Sequence, residues 1–161
     1  MSDARFEDGA DRPLRLQALD AEDLKVISAL VQDAVVPASE MAWDARKRAF
    51  ALLINRFRWE DQARAAQGGD YERVRAVLLI NDVLAVASQG FDRNDRDLVL
   101  SVLALEFHPG PDGTGDLSLV LAGDGEIRLS VECVDVMLSD VTQPYRAPSG
   151  RAPQHDLDEG A

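Results

Sequence analysis

The chain has 161 residues, of which 46% are apolar and 29% charged, and carries a net charge of −12 at pH 7. That length and apolar content suit one core and one domain. The acidity excludes a protein whose main task is neutralising phosphate backbones, because nonspecific nucleic-acid binding requires a basic footprint.

No window approaches the roughly 18 consecutive apolar residues of a membrane span, and Met1 to Arg12 is acidic with no apolar stretch behind it. The single cysteine, Cys133, allows no intramolecular disulfide, which fits a reducing, cytoplasmic compartment. Its neighbours Leu129, Val131 and Val136 make it read as a small buried hydrophobe.

Residues 1–12 and 146–161 are polar and cannot bury enough apolar surface to offset their ordering entropy, so both read as mobile tails around a body spanning 13–145. In the body, Leu14, Leu16 and Ala18 alternate with Arg15 and Gln17 as a half-buried strand. Asp20 then suits a helix N-cap, Asp23 sits at the third helical position, and Leu19 and Leu24 form a hydrophobic staple. The helix starts at Ala21, buries Leu24, Ile27, Leu30, Val31 and Ala34, and is stopped by Val35, Val36 and Pro37.

From Ala38 the period becomes two, with Ser39, Met41 and Trp43 on one face, and Asp44 to Lys47 turns the chain into a strand over Arg48 to Trp59. The first half of that strand is apolar on both faces; the second alternates Arg56 and Arg58 against Phe57 and Trp59. Glu60 to Glu72 reads as the most mobile loop. Val74 to Ile80 and Val83 to Ser88 then flank Asn81-Asp82, a pair able to take the positive φ angles of a tight hairpin.

After a charged connection, a strand runs from Leu98 to Phe107. Leu117, Leu119 and Leu121 alternate next, Gly123-Asp124-Gly125 turns the chain, and Ile127, Leu129, Val131 and Cys133 follow. The apolar phase then shifts to Val134, Val136 and Leu138, as a bulge or bend near Cys133 requires. The whole reads as an α+β fold: a mostly antiparallel, strongly curved sheet or partly closed barrel of about eight strands, with one N-terminal helix packed on it. Curvature would hide both faces of the doubly apolar strand.

Among candidate sites, Arg56 and Arg58 point the same way along a strand, roughly 7 Å apart, which could hold a phosphate or carboxylate between two guanidinium forks. With Arg46, Lys47 and Arg48 they form a cationic cluster. The bland alternative is pairing with acidic neighbours in a chain with surplus carboxylates. Phe57 and Trp59 interleave with these arginines on the opposite face, the wrong arrangement for a base-stacking platform, so no nucleic acid is expected there.

Asp92, Asn94, Asp95 and Asp97 cluster carboxylates, but the spacing departs from a calcium loop. His108, His155 and Cys133 cannot supply a zinc site, so no metal or other cofactor is expected. Nothing in the spacing selects Glu106, Glu132 or Asp135 as catalytic carboxylates, although Asp135 stands out between Val134 and Val136.

Pro13-Leu14-Arg15-Leu16 with Ala18-Leu19-Asp20, the segment Asn55-Arg56-Phe57-Arg58-Trp59-Glu60, and Ile127 to Cys133 together resemble an uncharacterised bacterial family of short proteins, defined as a domain of unknown function. The resemblance covers the body from Pro13 to about Tyr145. It implies a bacterial cytosolic protein and carries no activity or site residues to transfer.

The leading expectation is a noncatalytic binding or scaffold domain. It would contact a protein partner through an exposed sheet edge or through Arg56, Arg58, Trp59 and Arg48, with a C₂ homodimer as the default assembly. The competing expectation is a small-molecule-binding protein or enzyme whose anionic ligand docks on Arg56 and Arg58 beside the Glu60 to Glu72 loop.

Overall fold

The computed structural model describes residues 13–61 and 71–141. The tails expected over 1–12 and 146–161, and most of the loop expected between Glu60 and Glu72, lie outside these residues. Strand β1 (Arg15–Ala18) leads into helix α1 (Ala21–Val31). Asp20 caps the helix from an extended backbone, its carboxylate accepting the Asp23 N–H at 2.8 Å. Leu24, Ile27 and Val31 are buried at helical spacing, while Glu22, Asp23 and Lys25 face solvent.

The helix ends where Asp33 takes a φ of 66°. The Asp33 N–H donates to the Val102 carbonyl at 2.8 Å, which starts a strand at once. Val35, Val36 and Pro37, read from sequence only as helix breakers, form β2 (Val35–Pro37).

The remaining strands are β3 (Met41–Asp44), β4 (Ala49–Phe57), β5 (Arg73–Ile80), β6 (Val83–Gln89), β7 (Val99–Pro109), β8 (Gly115–Leu121), β9 (Gly125–Val131) and β10 (Val136–Asp140). They join in one ten-stranded sheet ordered β1-β10-β5-β4-β2-β7-β8-β9-β6, with β3 also on β4. Every pairing is antiparallel. The α+β architecture is therefore as read, with ten strands among the described residues.

The path is open, ending at β1 and β6, and is neither closed into a barrel nor strongly curled. Closure would bury β4 on both faces. In fact Phe50, Leu52, Ile54 and Arg56 are buried, whereas Ala51, Leu53 and Asn55 on the other face are half-buried. An open sheet tolerates that partial cover. Side chains from α1 and from both halves of the sheet share one core, including Ile27, Leu52, Leu78, Leu119 and Leu129.

The hairpin expected at Asn81-Asp82 does not form. Asp82 takes a φ of 57° as such turns require, yet β5 pairs with β4 and β10, and β6 pairs with β9. Both edges of β5 are already occupied, so the tight turn becomes a corner between the two halves of the sheet. Its polar groups bond elsewhere: the Asn81 N–H to the Asp135 carbonyl, the Val83 N–H to the Arg48 carbonyl, and the Asp82 carbonyl from the Glu132 N–H.

The bend expected near Cys133 is a larger break. β9 stops at Val131, and the chain crosses to β10 on the other half. Cys133 sits on that crossing and is exposed rather than buried, its thiol donating to Asp82 Oδ2 at 3.3 Å. The Asp82 carboxylate first, then burial and further acidic neighbours, push the thiol up from its ordinary range, away from thiolate reactivity.

Candidate functional site

The inward row of β4 runs Phe50, Leu52, Ile54, Arg56, and that of β10 runs Val136, Leu138, Asp140. Each row ends on a charge, and the charges meet. Arg56 is 0% exposed, with Nε donating to Asp140 Oδ1 and Nη2 to Asp140 Oδ2, both at 3.1 Å. The same guanidinium gives Nη1 and Nη2 to the two carboxylate oxygens of Glu60, each at 2.9 Å, and Nη1 to the Phe57 carbonyl at 3.0 Å. All five donors are engaged, and two carboxylates are gripped as bidentate forks.

Burial disfavours the Arg56 charge, but the hydrogen bonds and charges of Glu60 and Asp140 outweigh it and hold the group above its ordinary range. Burial likewise pushes Glu60 up, and Arg56 more than reverses this, leaving Glu60 below the usual carboxylate range. Asp140 also accepts the Leu14 N–H at 2.9 Å, so the cluster ties β1 to β4 and β10. Arg58, 3% exposed, donates to Glu72 Oε1 at 2.8 Å, and Asp61 lies 3.6 Å from it.

The expectation of Arg56 and Arg58 as a clamp open to an outside anion is thus corrected in favour of the alternative, pairing with acidic neighbours: both point inward, because they continue the buried phase of β4. Their forks already hold carboxylates of the chain itself. Trp59 is half-buried on the opposite phase; its indole N–H donates to the Gln32 carbonyl at 2.8 Å, and its ring lies against Phe57 and Tyr71 with centroids 5.2 and 4.7 Å away. Arg48 stands at the other end of β4, in the turn from β3, and pairs with Glu132 at 3.0 Å. The fold does not bring it to the other three.

The carboxylates considered singly also have places. Asp135 accepts from Gln17 Nε2 at 3.0 Å, and Glu106 lies 3.7 Å from His108. In the 92–97 loop, the Asp92 and Asp95 carboxylates accept the N–H groups of Asn94 and Asp97, at 2.9 and 3.0 Å. They close turns.

A different place has the shape of a site. Between β3 and β6 lies a cleft of about 240 Å³, lined by Met41 and Trp43 of β3, Phe50 of β4, Val86 to Ser88 of β6, and Phe91, with Arg93 and Arg96 also on its wall. Its walls are set by local geometry. Gly90 has a φ of +86°, and a Cβ there would stand 2.3 Å from the Asp124 carbonyl oxygen, so only glycine lets the chain pass that close to the β8–β9 turn. The passage turns Phe91 into the cleft.

Arg96 reaches the Ser39 carbonyl at 3.4 Å, and Arg93 has no ion pair among the described residues. The neighbouring aspartates do not line the cleft, two of them being turned onto backbone N–H groups. The loop's charges are sorted, with the cations on the cleft side.

β6 and β3 are both edges here, since β6 pairs with β9 alone and β3 with β4 alone among the described residues. The β6 sequence, Val-Leu-Ala-Val-Ala-Ser-Gln, carries no charge in a chain whose residues are 29% charged. Edge strands are normally guarded by charges, proline or bulges. β6 has only a bulge, between Val83 and Ala85, and there Leu84 is 48% exposed.

Sequence reasoning missed Asp140 and the cleft. Asp140 had a signal, an acid closing an apolar alternation that matches an arginine closing another. The cleft had none, because β3 and β6 meet only through the unforeseen corner at Asp82. A model of the family described as "Protein of unknown function (DUF2948)" matches residues 14–155.

Proposed function

We propose that this chain, which belongs to the DUF2948 family of proteins of unknown function, is a noncatalytic binding domain that contacts a protein partner along the β6 edge and the adjoining cleft. The observation that carries this reading is the uncharged edge of β6, unpaired among the described residues, beside an apolar cleft. A strand left in that condition favours pairing with another chain. The cleft's size supports a protein rather than a metabolite: about 240 Å³ falls below the roughly 300–1,000 Å³ of small-molecule pockets and suits one or two side chains.

Arg56 and Arg58 then serve the scaffold. Their carboxylate partners bind β1, β4, β5 and β10 together and so hold the sheet that presents the edge. No α-helix among the described residues is long and apolar enough to cross a membrane, and the lone cysteine suits the cytoplasm.

The test is to compare the wild type with Ala87→Glu, which places a guard charge on the exposed β6 edge and beside the cleft. A protein partner retained by the wild type, and binding it again after purification, is expected to be lost from a variant that melts at the same temperature. Equal retention by the two proteins, or none by either, would remove β6 from consideration.

A further inference from the structure

Resting on that reading, we infer that the occupant is an extended acidic segment of a partner chain, which pairs its backbone with the β6 edge, seats one large apolar side chain in the cleft and sets its carboxylates against Arg93 and Arg96. Three observations converge. The edge of β6 that no described strand pairs offers backbone donors and acceptors at the strand spacing, so an extended segment gains main-chain hydrogen bonds irrespective of its sequence.

The apolar lining from Met41, Trp43, Phe50, Val86 and Phe91, in a volume of about 240 Å³, admits one aromatic or branched side chain and no more than a small companion. Arg93 and Arg96 supply positive charge on the wall of that same cleft, on a chain of net charge −12. An acidic partner is repelled by most of this surface, so the local arginines decide where it docks. Guanidinium forks suit carboxylates by geometry as well as charge.

The other open end of the sheet offers no such combination. β1 has four residues, and its exposed positions are Arg15 and Gln17. A charge and a short length are what blunt an edge.

The experiment uses the full chain and the synthetic peptide Asp-Glu-Val-Phe-Val-Asp-Glu, with Trp43 fluorescence and amide exchange as readouts. Binding is expected to slow exchange in β6 and to change Trp43 emission in a Trp59→Phe background. Reversing the peptide's charges to lysine, or making Arg93→Glu with Arg96→Glu in the protein, is expected to weaken binding at least about tenfold. Combining the two reversals is expected to restore part of it. Replacing the peptide Phe by Ala, or methylating alternate peptide nitrogens, is expected to weaken it as much.

A lysine peptide that binds wild type equally well overturns the acidic partner while leaving β6 as the contact edge. N-methyl peptides that bind unchanged overturn strand pairing. No binding by any peptide, or doubled mass in light scattering that Ala87→Glu abolishes, overturns the inference and, in the second case, makes a second copy the occupant. Because the partner comparison with Ala87→Glu is read separately, failure of the segment's chemistry stays distinct from failure of the β6 contact itself.

Discussion

Arg56 places a fixed positive charge where water cannot reach it, and what makes this tolerable is the count of its partners: Asp140, Glu60 and the Phe57 carbonyl take every N–H. Removing the guanidinium would strand Asp140 in the interior. Arg56→Ala is therefore expected to cost about 3–5 kcal/mol in urea unfolding, and Arg56→Lys most of that, since an ammonium cannot reproduce two bidentate forks. A change below about 1 kcal/mol in both would show that the cluster contributes little. Glu60 sets a pH dependence. Its folded-state pKa lies below the unfolded value, so its stabilisation is full above about pH 4.3 and is lost as the pH falls through the folded value. Unfolding curves between about pH 6 and 3 should show stability falling with acidity, and Glu60→Gln should flatten that fall. The cluster was half legible beforehand. Pairing of Arg56 with acids follows from charge balance, but its inward direction depends on whether the apolar row of β4 continues through residue 56. Leu53 and Ile54 leave that phase open, and tertiary packing closed it.

At the scale of elements, helix α1 and strand β7 are joined at an irregularity. β7 shifts register against β8 between Val102 and Ala104, and the Leu105 N–H donates to Ser28 Oγ on the helix at 2.9 Å. β2 covers β7 only from Val99 to Ser101, so beyond the bulge the β7 backbone on that side meets the helix instead of a strand, and a side chain satisfies it. Ser28→Ala should destabilise by about 1–2 kcal/mol, more than a partly exposed helical serine ordinarily would. An unchanged melting temperature would mean that water replaces the hydroxyl. The helix itself was readable from Asp20 and the spacing of Leu24, Ile27 and Val31, because capping and amphipathicity are local. The β5–β6 corner was not. Asn81-Asp82 has the residues of a hairpin, and Asp82 adopts the required backbone, yet local turn chemistry cannot say which strand occupies a neighbour's edge.

Across the whole molecule, the pairings are distant in sequence: Arg15 lies opposite Ser139 at one end of the sheet, and β6 crosses to β9 at the other. Closing such long loops before their contacts form is slow, so refolding is expected in the millisecond-to-second range, against microseconds for local helical topologies. Stopped-flow fluorescence would check this, and a complete microsecond phase would contradict it. The sequence by itself determined the helix, its cap, most of the strands though not β2, the antiparallel α+β class and the acidic character, because periodicity, capping and charge act within a few residues. Only the tertiary structure decided the strand order, the open path, the inward turn of Arg56 and Arg58, the exposure of Cys133 and the cleft beside β6. Each of these depends on which segments compete for the same strand edge or the same buried volume, and that competition is settled between residues far apart in the chain.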